Sequence, residues 1–197
     1  IQLVAQSPVT PDYAKAIGNF TFGIKSGVNI SNQNASLDMT NIPMALTTIN
    51  TSSYHFGVYG NFKLSEKIGI LTELLYSEEG SMVNLQAIAF KQQVNYIKFP
   101  LMFNYKPFFN GLSFQFGPQF GYMVSDKIDI DNNQGGQFIS ADFKSFETSI
   151  VIGAEYYLTQ KLKVGGRYNL GLSDISKTDV ASFKNTNIQF YLGFDLF

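Results

Sequence analysis

From Gly111 to Val124 the chain reads GLSFQFGPQFGYMV, a strict alternation. Leu112, Phe114, Phe116, Pro118, Phe120, Tyr122 and Val124 fall on one side, and Ser113, Gln115, Gly117, Gln119, Gly121 and Met123 on the other. Successive side chains on a strand point to opposite faces, so this predicts a ribbon with one apolar, aromatic face and one small, polar face. At about 3.3 Å per residue it is long enough to cross a bilayer's hydrocarbon layer when tilted.

The pattern recurs. Ribbons are predicted at 19–31, 53–64, 67–77, 93–106, 111–124, 145–158 and 161–172, with a last one after Asn185. Long polar connections are expected at 32–52, 78–92, 125–144 and 173–185, and short turns at 65–66, 107–110 and 159–160. Long and short connections thus alternate, the asymmetry of outer-membrane barrels. No Asp, Glu, Lys, Arg or His falls on an apolar face. Lys25, Lys63, Glu73, Lys98, Glu147, Glu155, Lys163, Arg167 and Asp195 all lie opposite. Helical periodicity does not compete anywhere. The fold expected is an all-β, eight-stranded, antiparallel up-and-down transmembrane β-barrel over 19–197, preceded by a periplasmic lead at 1–18. Both termini are expected in the periplasm of a bacterial outer membrane.

Alternation alone does not say which face is outward, because a soluble lipocalin-like barrel turns its apolar face inward around a ligand. Composition tips the choice toward lipid outside. Charged residues make up 15% of the 197-residue chain, against about 25% in soluble domains. Aromatic residues also reach 15%, with 19 Phe and 11 Tyr. The polar face is rich in glycine and carries both signs of charge, as suits a narrow, ion-paired lumen. Tyr54, Tyr76, Tyr105, Tyr122 and Tyr156 recur near ribbon ends, as interfacial girdles do. Phe114, Phe116, Phe120 and Tyr122 are therefore assigned to the lipid face.

Net charge is −1, with 14 basic and 15 acidic residues, so nothing favours a nucleic-acid partner. There is no cysteine, and no apolar run approaches the roughly 18 residues of a spanning helix. The first residues, IQLVAQSPVTP, read either as the tail of a signal peptide cleaved after Ala5 or as an irregular mature end.

The candidate chemistry is sparse. Glu73, Lys98, Glu155 and Arg167 are the interior charges nearest mid-strand. They are expected to pair as a structural lumen network rather than to form an ion path, because side chains just fill an eight-stranded barrel. His55, the single histidine, shares the inward face with Ser53, but no acid or oxyanion motif accompanies them. Asp129, Asp131 and Asn133 have the odd spacing of a calcium loop, yet Gln134 stands where such loops need glycine and Ser140 where they need glutamate. A polar surface loop is the reading preferred there, and no cofactor is expected. Pro100 and Pro118 each predict a bulge or a local break. Phe90, Ile128 and Phe138 are candidates for docking a partner.

Three stretches carry a family likeness: FTFGIKSGVNIS, the pair LTELLYSEEGS and YIKFPLMFNYK, and FQFGPQFGYMV. Together they resemble the PorT-like outer-membrane β-barrel family of the Bacteroidetes. The resemblance implies an eight-stranded outer-membrane barrel whose founding member acts in type IX secretion, with others as accessory subunits of larger assemblies. The expected function is accordingly non-enzymatic, a structural or accessory barrel binding other outer-membrane proteins. A small-molecule channel or ligand-binding barrel is the alternative, and a barrel-embedded hydrolase a third. Phe197 departs from the pattern, being out of register with Phe194 and Leu196 unless a bulge intervenes.

Overall fold

A computed structural model describes residues 20–39, 42–46, 49–85, 88–107, 111–131, 137–139, 145–173 and 181–197. The strands are β1 (Phe20–Met39), β2 (Ile42–Leu46), β3 (Ile49–Lys63), β4 (Ile68–Leu85), β5 (Ile88–Tyr105), β6 (Leu112–Asp131), β7 (Gln137–Ile139), β8 (Phe146–Tyr157), β9 (Leu162–Gly171) and β10 (Ala181–Asp195). Eight of them form the wall in the order β10-β9-β8-β6-β5-β4-β3-β1, and β10 pairs back onto β1 to close it. Every ring pairing is antiparallel. The short β2 extends from β1 and the short β7 from β6. Closure leaves the wall without a free edge, which is what lets a sheet cross hydrocarbon.

Burial decides the orientation that alternation left open. Phe114, Phe116, Phe120 and Tyr122 are 47%, 56%, 39% and 58% exposed. Leu74, Ile152, Phe190 and Leu192 lie on the same outer surface. Inside, Lys25, Glu73, Lys98, Glu155 and Arg167 are buried, beside a small apolar belt of Tyr59, Leu71, Met102 and Val151. A water-filled exterior would pay heavily for so much exposed apolar area, whereas lipid does not.

The short turns are built alike. Ser65 Oγ accepts from Lys67 N and Ile68 N while Leu64 N donates to Ile68 O. Thr159 Oγ1 accepts from Lys161 N and Leu162 N, and Leu158 N donates to Leu162 O. In each, a hydroxyl at the first turn position satisfies the backbone donors that the reversal leaves over.

The long connections are shorter than the polar composition suggested. β1 runs on to Met39, β4 and β5 pair as far as Leu85 and Ile88, and β6 reaches Asp131. Much of the expected loops at 32–52, 78–92 and 125–144 is therefore ladder. Ladder bonds are made by backbone, so a hairpin continues in water after its side chains stop alternating.

Pro100 and Pro118 break the ladder locally without a bulge. Pairing skips from Thr72↔Leu101 to Leu75↔Lys98 and from Pro100↔Gln119 to Phe103↔Phe116, with register unchanged. The register shifts fall elsewhere, between Asn50 and His55 and between Asn95 and Tyr96. Beside the gap, a Cβ on Gly117 would run into Leu101 O and lie 2.7 Å from Met102 Cα. Both neighbours are backbone and cannot step aside. Gly117→Ala is expected to cost about 1–3 kcal/mol by overpacking, read as a lower urea midpoint of the refolded barrel. An unchanged midpoint would show that the wall yields there.

A bulge does occur at the barrel's seam. Leu196 N and Phe197 N both donate to Phe22 O, and Phe22 N donates to Phe197 O. The extra residue brings Phe197 to the outer face, where its ring stacks on Phe22 at 5.4 Å.

Candidate functional site

The inward faces of the strands converge on three layers of charge. In the middle layer, Glu73 of β4 receives Arg167 of β9 end-on, with Nη2–Oε1 at 2.6 Å and Nη1–Oε2 at 2.7 Å. Lys25 of β1 approaches both carboxylate oxygens at 3.2 Å. Its ammonium sits 3.5 Å over the Tyr191 ring, and the Arg167 guanidinium 4.8 Å from it. Arg167 Nε also donates to Gln115 Oε1 at 2.7 Å. A fork-shaped guanidinium meeting a carboxylate in this way makes two parallel bonds, the strongest ionic geometry available to side chains.

Toward the short turns, Lys163 reaches Glu155 at 3.3 Å and Asp195 at 3.9 Å, and lies 3.9 Å over the Tyr59 ring. Tyr59 and Tyr157 donate hydroxyls to Asp195, and Ser113 and Tyr191 donate to Glu155. At the rim below, Lys106 lies 5.6 Å from the Tyr157 ring. Burial, and then the charge of Lys63, lowers its pKa.

Toward the long hairpins, Lys98 of β5 stands between two carboxylates, Glu79 at 2.6 Å and Glu147 at 3.5 Å. Asn185 Nδ2 donates to Glu147 Oε2 at 2.7 Å and to Tyr96 Oη at 3.1 Å.

Of the four mid-strand charges singled out in the sequence, Glu73 and Arg167 meet each other. Lys98 and Glu155 belong to separate layers, each with other partners. Lys25, Glu79, Glu147 and Lys163 complete the pairs. Glu79 had a legible signal: it continues the odd-numbered inward row of Glu73, Leu75 and Ser77. Its assignment to a loop at 78–92 hid it.

His55 is fully buried, with Nδ1 2.7 Å from Asn29 Oδ1. Ser53 Oγ donates to the Glu78 carbonyl. Serine and histidine thus bond to different groups, and this is not a nucleophile–base arrangement. Asp129 and Asp131 lie on β6, opposite Lys91 and Ala89 of β5. Their backbone is a paired extended strand, in place of the loop that calcium-type spacing implied. Asn133 lies outside the described residues. Phe90 and Ile128 pair in the β5–β6 ladder opposite Ile130 and Gln92 respectively, and Phe138 in β7 opposite Asp129.

The geometry as a whole is that of a lumen cross-linked by side chains, surrounded by an apolar wall. The barrel fold itself is similar to that of solved outer-membrane proteins. Neisserial surface protein A (NspA) superposes with a TM-score of 0.56 at 9% identity, covering 89% of this chain and 97% of that one. Ail, the attachment invasion locus protein of Yersinia pestis, gives 0.49 at 11% identity over 89% and 98% of the two chains. OprG of Pseudomonas aeruginosa gives 0.44 at 12% identity over 90% and 94%. No curated protein matches the sequence. The family model described as "Outer membrane protein beta-barrel domain" matches residues 4–177, and with a closed, outward-apolar wall beneath that match the chain belongs to this family of outer-membrane β-barrels.

Proposed function

We propose that this protein is a non-enzymatic accessory barrel that presents its long hairpins to partner proteins of the outer membrane. The observation that carries the reading is strand length. A spanning strand needs about 9–11 residues, whereas β1 and β6 have 20 each and β4 and β5 have 18 each. The excess all lies at the end away from the short turns. There β4, β5 and β6 remain paired with one another, so the barrel carries a projecting, hydrogen-bonded sheet. A preformed sheet presents a partner with a surface whose ordering cost is already met.

The short turns, together with the first and last strand ends, occupy the periplasmic side in this reading, and the projecting sheet faces outward. The motif likeness to PorT-like barrels supports a role within a larger secretion or transport assembly. The plugged lumen speaks against the channel alternative, since Arg167, Glu73, Lys25 and Tyr191 meet across its middle.

Two measurements test this. In planar bilayers the refolded protein is expected to show no steady conductance, and a stable open level would restore the channel reading. Mild detergent extraction at native expression level is expected to recover the barrel with other outer-membrane proteins. Recovery as a lone monomer would overturn the accessory role.

A further inference from the structure

The lumen's charge does not balance evenly along its axis. In the middle and turn-side layers, Lys25, Arg167 and Lys163 pair with Glu73, Glu155 and Asp195, one cation for each carboxylate, with Lys63 and Lys106 at the half-buried rim beyond them. In the hairpin-side layer, Lys98 alone faces both Glu79 and Glu147. Among the described residues that layer carries one carboxylate too many. A buried charge without a counter-charge is strongly disfavoured.

The same layer holds oxygen atoms with nothing bonded to them. Glu79 Oε1 accepts three donors, from Lys98 at 2.6 Å, Asn187 Nδ2 at 2.8 Å and Ser77 Oγ at 3.1 Å. Its other oxygen, Oε2, is buried and accepts none. Asn187 Oδ1, on the amide whose nitrogen holds Glu79, is likewise unpartnered. Ser31 lies directly opposite Asn187 in the β1–β10 ladder and directly opposite Thr51 in the β1–β3 ladder. Ser31 Oγ and Thr51 Oγ1 have no partner either, and Ser31 is only 2% exposed. Opposed side chains in a sheet have Cβ atoms about 4.5–5.5 Å apart. Thr51, Ser31 and Asn187 therefore form a row across three adjacent strands, and Glu79 joins it through its bond to Asn187.

We propose that this row is a binding site for a monovalent alkali cation, held by Glu79 Oε2, Asn187 Oδ1, Ser31 Oγ and Thr51 Oγ1. A carboxylate, an amide carbonyl and hydroxyls form a hard, all-oxygen set of the kind that takes alkali and alkaline-earth ions rather than zinc or copper. The single surplus negative charge selects a single positive one. Bound there, the ion ties β1, β3, β4 and β10 together just beneath the projecting hairpins. It thereby completes the lumen plug on the hairpin side.

The test uses the full chain, folded in detergent, with chloride concentration fixed and sodium exchanged for N-methyl-D-glucamine. Sodium is expected to raise the thermal midpoint saturably, with the unfolding equilibrium shifting about tenfold at ten times the dissociation constant. Glu79→Gln is expected to abolish that dependence, and Ser31→Ala and Thr51→Ala to weaken it several-fold. The two smaller changes keep the test decisive if Glu79→Gln does not fold. A midpoint indifferent to sodium would overturn the site. So would a midpoint raised by acid alone, since the surplus carboxylate would then carry a proton. A sodium response unchanged in Ser31→Ala and Thr51→Ala would overturn it as well.

Discussion

Glu73→Ala is expected to be the most damaging single change in the lumen. It removes one carboxylate but strands two cations, Lys25 and Arg167, which meet at that carboxylate and share the face of Tyr191. Breaking a buried pair from one side costs about 3–5 kcal/mol, because the remaining charge has lost its partner and has no water in exchange. Arg167→Met should cost less, as Lys25 still neutralises Glu73 and the methionine fills part of the volume. Lys63→Ala, at the turn-side end of β3, should cost least. Equilibrium unfolding in urea, followed by the heat-dependent mobility shift of folded barrels in SDS, would rank the three. Equal midpoints for Glu73→Ala and Lys63→Ala would mean that the lumen is wet enough to solvate its charges.

The second large effect belongs to the wall. Phe116 is 56% exposed between Phe103 of β5 and Ile152 of β8, near the middle of the spanning part of β6. Phe116→Lys should cost about 2–4 kcal/mol in lipid vesicles, the range for a cation at the bilayer midplane. Phe146, at the hairpin-side end of β8 and stacked on Phe120, is equally exposed at 55%. Near an interface the same change to lysine should cost about 0–1 kcal/mol. Exposure does not distinguish the two sites, so only depth in a membrane predicts a difference. Equal losses would sink the assignment of this wall to lipid.

Both effects follow from one inversion. In a water-soluble barrel the apolar row fills the inside and charges face solvent. Here apolar side chains meet lipid, and the lumen must satisfy its polar groups internally. That explains why tyrosines recur inside: Tyr59, Tyr96, Tyr157 and Tyr191 fill volume with their rings and donate or accept at their tips. It also explains why both signs of charge appear there at near parity. The layer that departs from parity is the one around Lys98.

The strands themselves were readable from local pattern, because the two-residue period of a strand is a property of consecutive side chains. GLSFQFGPQFGYMV announced its two faces without reference to anything distant, and so did the seven other ribbons. The absence of charge on every apolar face, with the short turns at Ser65 and Thr159, was enough for a barrel. Three matters were decided only by the tertiary structure. An ion pair joins Arg167 to Glu73 and a hydrogen bond joins Asn187 to Glu79, each across about half of the chain, and which partners meet depends on stagger between strands, to which alternation is blind. The hairpins run on past the polar boundary because backbone bonds hold them, and backbone leaves no trace in side-chain polarity. Pro100 and Pro118 cost ladder bonds but no register, since the flanking pairs on both sides hold the strands in step. A chain's alternation reports its faces; what those faces enclose is set when the last strand closes on the first.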